Sequence, residues 1–520
     1  MGIPSYFSYV IKEHRNIIKK LQNINYNNLY LDSNSIIYDA IRNIEYTHQE
    51  EYEDKIIEYV IEKINSLIKI VNAKKVLITF DGVAPFAKLN QQKTRRYKSW
   101  VNNEIFQKKS NWDRCSITPG TNFMNKLDKK IEKYYKDNLK NINVVYSGTS
   151  IPGEGEHKIF EHIRENIEYH KKNDTVIYGL DSDLIMLTLN HLYISKNLFL
   201  FRETPEFIKS IDKTLDPNSY YVMDINRMSE AIYNLISKDN SNSDIHMYVK
   251  DYIFLCFFIG NDFVPHHPAI NIRTTGIELL IDVYRKILRP NEHLTNGKII
   301  YWKNVRKCIN ELYILEHESI CDYITWKENL KEKSIGKINN CKELEERLNM
   351  VPTLDITTEQ YVNPNIFYWQ ERYYSKLFHF KKTEERIKQV CINFLETLEW
   401  TMKYYSIGCI DWKFYYKYNH APLFEDLIKY IPHLNQHMIE TKEKQVYHPL
   451  VQLSFVLPKQ SLHLLPLNIK NMLLENYNEN YRTDYPIEWG FCRYFWESHI
   501  LFPDINFNSI ETSVIKQIQL

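Results

Sequence analysis

Glycine is scarce in this chain, 13 of 520 residues, so a glycine inside a polar stretch marks a backbone requirement. Cysteine supplies no framework. The eight are scattered, without a Cys-x-x-Cys pair or a histidine at zinc-finger spacing, which fits free thiols in a reducing compartment. An excess of charge is lacking too: 66 Lys and Arg face 65 Asp and Glu, a formal net charge of +1, so affinity for nucleic acid has to come from a local basic patch. No apolar run reaches the roughly 18 residues of a membrane helix; the longest candidate, 252–259, is far shorter, and no membrane partner is expected. The first residues lack the basic and apolar regions of a secretion signal, and Tyr6 stands where a myristoylation motif wants Ser or Thr. The expected location is the cytoplasm, which includes a viral protein acting in its host's cytoplasm. There is no P-loop and no Gly-x-Gly-x-x-Gly, and His157 and His162 do not form His-Glu-x-x-His, which argues against a zinc protease.

What is there begins with Ile151-Pro152-Gly153-Glu154-Gly155-Glu156-His157-Lys158. Two carboxylates alternate with two of the few glycines, after an apolar run and before an amphipathic one. Glycine allows positive φ or a close backbone approach, and two acids in a dry cleft repel unless a cation lies between them. Read alone, the stretch is more simply a solvated acidic turn.

Three β-rich runs elsewhere each end on an acid: 29–32 on Asp32, 76–81 on Asp81 and 176–181 on Asp181. Helical stripes separate them, one over 56–70 and another over 121–139. This alternation predicts an α/β fold, a mostly parallel central sheet flanked by helices, with ligands outside the carboxyl ends of the strands. Asp183 follows Asp181 by two, and in an extended chain both side chains leave one face. After a polar loop at 237–244, an apolar run over 251–259 reads as a buried helix leading into Gly260-Asn261-Asp262. Residues 286–351 are polar and charge-rich and read as a helical connector between a first domain, 1–285, and an aromatic-dense helical region, 352–520.

Asp32, Asp81, Glu154, Glu156, Asp181, Asp183 and Asp262 make a set of oxygen donors suited to Mg²⁺ or Mn²⁺, and to two ions rather than one. Two ions about 3.5–4 Å apart can activate water and stabilise the leaving oxygen of a phosphodiester. Any one of these aspartates alone is an ordinary turn or helix cap; the set is not. From Asp81 onward, a helix after Pro85 would bring Lys88, Gln92, Arg95 and Arg96 to one face as a seat for a terminal phosphate. A solvated basic face is the plain alternative. Tyr404, Tyr405 and the run 412–418 interleave aromatics with lysines, a pattern for stacking on bases or for core packing.

In these stretches the chain resembles the Xrn-type 5′→3′ exoribonucleases. The matching residues are 1–4, 29–34, 81–96, 117–121, 152–158, 179–187, 260–265, 369–374, 408–422 and 456–458. The resemblance implies a nuclease domain like those of the PIN and flap nucleases at 1–285, with 352–520 as a second conserved region enclosing the active site. It implies processive removal of nucleoside 5′-monophosphates from single-stranded RNA with a 5′-monophosphate, as in mRNA decay, and we expect a monomer. The seven acids become metal ligands and catalytic residues, Lys88, Gln92, Arg95 and Arg96 the 5′-phosphate pocket, and Tyr38 and Trp412 base-stacking groups. The chain departs from the family in having Tyr38 where a stacking histidine is usual, Phe414 in the aromatic pair with Trp412, and Phe86 for a common basic residue. It is expected to be a compact catalytic core. A DNA-directed or flap-type 5′ nuclease and an inactive RNA-binding scaffold of the same fold are the rival readings.

Overall fold

The β-rich runs form the middle of a seven-stranded sheet of order β1-β7-β6-β5-β2-β3-β4. Its strands are β1 Ile18–Lys20, β2 Asn28–Asp32, β3 Lys75–Thr79, β4 Asn143–Ser147, β5 Thr175–Tyr178, β6 Leu198–Phe201 and β7 Tyr221–Asp224. The five strands from β6 to β4 are parallel, while β7 runs antiparallel to both β6 and β1. The fold is α/β with a mostly parallel sheet and helices on both faces. The structure, a computed structural model, describes all residues except 1, 2, 4, 5, 22–25, 109, 139–141, 203–214, 217, 238–243, 275, 342 and 520. The motif at 1–4, Ile3 apart, and the interior of the polar loop at 237–244 lie outside the described residues.

Period-two alternation splits the strands between two cores. Leu29, Leu31, Val76, Ile78, Val176 and Tyr178 pack with the helices Asn34–Asn43, Gln49–Val71 and Asn122–Asn138 on one face. Tyr30, Leu77 and Ile177 pack on the other with Gly155–Glu165, Asp183–Asn190 and Ile245–Cys256. Each such fully buried side chain contributes about 1.5–3 kcal/mol. The chain lays β3 and β4 to one side of β2 and β5 and β6 to the other, so the strand order reverses beside β2. A crevice at the carboxyl ends follows from that reversal.

The helical second half shares the Tyr30 core. Trp302 of the helix Trp302–Asn340, inside the expected connector, belongs to it, as do Phe394, Leu398, Trp400 and Tyr404 of Glu384–Ser406. A separate cluster joins the basic helix Phe86–Ile105 to the C-terminal region. Phe86 is its hub, with ring centroids 4.5 Å from Phe507, 4.7 Å from Tyr415 and 4.9 Å from Phe455. Among the described residues no helix is long and apolar enough to cross a membrane.

Phe86→Ala removes that hub and is expected to cost about 3–5 kcal/mol. The check is a lower thermal midpoint together with faster amide hydrogen exchange along residues 86–105 than along the sheet.

Candidate metal centre and basic helix

Strand register brings the first acids together. Asp32, the last residue of β2, pairs with Thr79 of β3, and the Thr79 hydroxyl is 2.9 Å from both Leu31 O and Gly155 O. The loop before the helix Gly155–Glu165 is thereby laid along the segment after β3, where Gly82 N donates to Gly153 O at 2.9 Å and Gly153 N to Val83 O at 2.8 Å. Gly153 has φ +112°, a conformation an L side chain rarely adopts. At Gly155 a Cβ would lie 2.6 Å from Asp32 Oδ1, so only glycine lets the helix start this close to the carboxylate. Gly155 N donates to Asp81 Oδ1 at 2.7 Å and Asn34 Nδ2 to Asp81 Oδ2 at 2.5 Å, so Asp81 sits on the positive end of that helix. Lys158 Nζ anchors the same helix through Phe80 O and Gly148 O, both at 2.7 Å.

Glu154, Glu156 and Asp183 are buried side by side, and Lys88 lies among them. Its ammonium is 2.5 Å from Glu154 Oε2 and 2.9 Å from Asp262 Oδ2, and the Tyr404 hydroxyl donates to Glu154 Oε1 at 2.8 Å. The electrostatics record the crowding. Burial, then Asp81 and Asp181, pushes Asp32 well above the usual carboxylate range. Burial, then Asp183 and Glu154, does the same to Glu156. Asp183 is raised to about 7 by burial and then by Asp262. Burial would lower the Lys88 ammonium, yet Asp262, Glu154, Glu156 and Asp183 together carry it well above its ordinary value. Asp262, against its own desolvation, is held low by Lys88. Among the described residues, Asp32 Oδ1, Glu156 Oε2 and Asp183 Oδ1 are buried without a hydrogen-bond partner. Unpaired carboxylate oxygens in a crowded, dry cluster fit a divalent cation, which would satisfy them and remove the repulsion.

The extended-chain argument for Asp181 and Asp183 does not hold. β5 ends at Tyr178 and Asp183 opens the helix Asp183–Asn190, so Asp183 is buried in the cluster while Asp181 is exposed at its edge. The basic residues lie on one helix, with Lys88, Gln92, Arg95 and Arg96 inside an arc of about 100° around its axis. Residues 95 and 96 are about 100° apart around a helix axis. Arg95 lines a cavity of about 610 Å³ that also includes Asp262. Arg96 instead donates to Gln92 Oε1 at 3.3 Å and Thr118 Oγ1 at 2.9 Å. Tyr38 is 41% exposed on the helix Asn34–Asn43 and close enough to Arg96 to act on it electrostatically. Trp412 is 5% exposed; its carbonyl accepts from Phe86 N at 2.9 Å, and Lys444 Nζ lies 5.5 Å from its ring centroid.

Tyr404 was readable only as one of a dense set of aromatics, either stacking on bases or in the core. It is buried in the core, and from there its hydroxyl donates to Glu154 and its ring stacks on His157 with centroids 3.7 Å apart. No local signal could have found this, because 250 residues separate Tyr404 from Glu154.

Known proteins match nearly the whole chain. A family profile described as the XRN 5'-3' exonuclease N-terminus matches residues 1–204, and one described as the Xrn1 helical domain matches 242–366 and 366–516. The chain is similar to 5'-3' exoribonuclease 1 of Schizosaccharomyces pombe, 25% identical over 97% of this chain and 48% of that protein. It is also similar to 5'-3' exoribonuclease 1 of Homo sapiens, 26% identical over 97% and 33%, and to 5'-3' exoribonuclease 2 of Arabidopsis thaliana, 24% identical over 96% and 65%. It thus spans between a third and two thirds of the length of these relatives. Among solved structures, the catalytic core of Rad2 in complex with DNA substrate aligns with a TM-score of 0.34 and 14% identity, over 64% of this chain and 80% of that one. By the profiles that cover its sheet domain and its helical half, the chain belongs to the Xrn family of 5'-3' exonucleases.

Proposed function

We propose that the chain is a metal-dependent 5′→3′ exoribonuclease that removes nucleoside 5′-monophosphates from single-stranded RNA bearing a 5′-monophosphate. The observation that carries the reading is the gathering of buried carboxylates, three with oxygens unpartnered among the described residues, against a basic helix. The division of labour we propose assigns the chemistry to residues 1–285, the connection to 286–351 and enclosure of the site to 352–520. The names of the relatives support RNA as the substrate, and cytoplasmic RNA decay by a monomer is the matching setting.

In this reading Asp32, Asp81, Glu154, Glu156, Asp181, Asp183 and Asp262 hold two ions of Mg²⁺ or Mn²⁺. Such ions, when bound, polarise a phosphoryl oxygen and lower the pKa of a water. The rest falls to the chain. Asp81 is oriented by Asn34 and the Gly155 amide, and Glu154 by Tyr404, so both donors are fixed before substrate arrives. Lys88 sits at the root of the basic helix, and its long flexible stem suits it to exchange its acid partners for the terminal phosphate once cations neutralise them. Gln92, Arg95 and Arg96 continue the seat along the helix. A phosphate held there fixes which phosphodiester lies over the acids, and this sets direction. Tyr38, exposed near Arg96, and Trp412 are the proposed stacking groups for the leading bases.

Purified protein with Mg²⁺ and end-labelled 5′-monophosphorylated RNA is expected to yield mononucleotides without intermediates. RNA with a 5′-hydroxyl or a 5′-triphosphate, and DNA of the same sequence, should react much more slowly. Equal rates on all three RNA ends would remove the phosphate seat, and preference for DNA would establish the flap-type rival. Asp183→Ala should abolish turnover with RNA binding retained; no hydrolysis by the unaltered protein with Mg²⁺ and Mn²⁺ both supplied would instead indicate the inactive scaffold. Tyr404→Phe keeps the ring against His157 but removes the hydroxyl from Glu154, and is expected to lower metal affinity about 10–100-fold. Calorimetric titration with Mn²⁺ measures it, and an unchanged affinity would show that Glu154 needs no such support.

A further inference from the structure

The helix start that supplies Glu154 and Glu156 supplies a third group, which neither the acids nor the basic helix explains. His157 is buried, and its Nδ1 has no hydrogen-bond partner among the described residues. An imidazole nitrogen shut away from water and left unpaired costs stability unless something meets it. One donor atom from each of Glu154, Glu156 and His157 lies within 4.8 Å of the other two. Glu156 Oε2 is also buried and unpaired. Tyr404 holds the other two members of the trio at once. Its hydroxyl donates to Glu154 Oε1 at 2.8 Å, and its ring lies over the imidazole with 18° between the planes. Further contact between His157 and Tyr405, at a centroid distance of 6.1 Å, closes the imidazole in from a second side.

We propose that His157 is a metal ligand, so that one metal position has a donor set of one imidazole nitrogen and the carboxylates of Glu154 and Glu156. The inference rests on the metal-carboxylate reading of this site and deepens it. Mg²⁺ takes oxygen donors in a near-ideal octahedron and gives up its waters reluctantly, whereas first-row transition cations accept imidazole readily. A position with a nitrogen donor therefore selects Mn²⁺, or another transition cation, over Mg²⁺. The remaining acids, Asp32, Asp81, Asp181, Asp183 and Asp262, offer oxygen alone and carry no such preference. The two ions of the proposed pair would then differ in kind, one position tolerant of Mg²⁺ and the other tuned away from it.

The test needs no turnover. The full chain is loaded with Mn²⁺ and studied by electron spin echo envelope modulation, which detects a nitrogen bonded directly to the ion. A strong ¹⁴N coupling is expected, changing to the ¹⁵N pattern when the protein is grown with ¹⁵N-histidine and disappearing in His157→Gln. In that variant the preference for Mn²⁺ over Mg²⁺, measured by calorimetric titration, should fall about tenfold or more. Should His157→Gln fail to fold, His157→Asn, read by the same isotope exchange, decides. Mn²⁺ bound without nitrogen coupling, or a coupling that survives in His157→Gln, overturns the proposal and leaves the carboxylate site standing. An absence of bound Mn²⁺ overturns the metal reading and this proposal with it.

Discussion

Negative charge crowded at the carboxyl edge of the sheet is the constraint on which the rest of this structure depends. Carboxylates about 4 Å apart in a partly shielded site repel by about 4 kcal/mol per pair. The chain gathers such groups and meets only part of the cost itself. Lys88 pairs with Glu154 and Asp262, the start of the helix Gly155–Glu165 turns its amide toward Asp81, and Tyr404 donates to Glu154. The oxygens left over on Asp32, Glu156 and Asp183 point to a partner of higher charge than any side chain can supply.

Much of the surrounding architecture follows from holding these groups in place. Gly155 is a consequence of the approach to Asp32, and Gly153 of the turn that permits it. The helical half is part of the site rather than a separate module. Its helix Glu384–Ser406 reaches over the acids and supplies Tyr404, whose ring is backed by Trp400 at 4.8 Å and by Phe263 at 5.6 Å. Phe86 does similar service for the basic helix, clamping its first turn to the C-terminal region just before Lys88. An aromatic there trades a possible surface charge for a fixed helix origin.

The parallel sheet and the acids at its strand ends were legible because short β-rich runs that end on a carboxylate and are spaced by helical stripes suit βαβ units and little else. The strands β1, β7 and β6 at one end of the sheet order were not, since segments of three or four residues such as Ile18–Lys20 have too little pattern to stand out from a loop. Asp183 departs from the extended geometry for a specific reason: two acids spaced by one residue suggest a strand, but a polar Ser182-Asp183 pair before an apolar run also starts a helix, and here the helix prevails. Arg95 and Arg96 meet different partners at the two edges of one helical face, the cavity for Arg95 and Thr118 for Arg96, and which partner each meets is set by packing that the spacing does not encode. The partnership of Tyr404 with Glu154 depends on long-range packing, and no spacing in the sequence encodes it.

The central claim is that the acids converge in order to hold divalent cations, and anomalous scattering from crystals soaked in Mn²⁺ tests it most directly. The account expects ion density enclosed by Glu154, Glu156, Asp183 and their neighbours, with the Lys88 ammonium drawn away from Glu154. Saturating Mn²⁺ that leaves the cluster without density, with Lys88 still seated between Glu154 and Asp262, would contradict it.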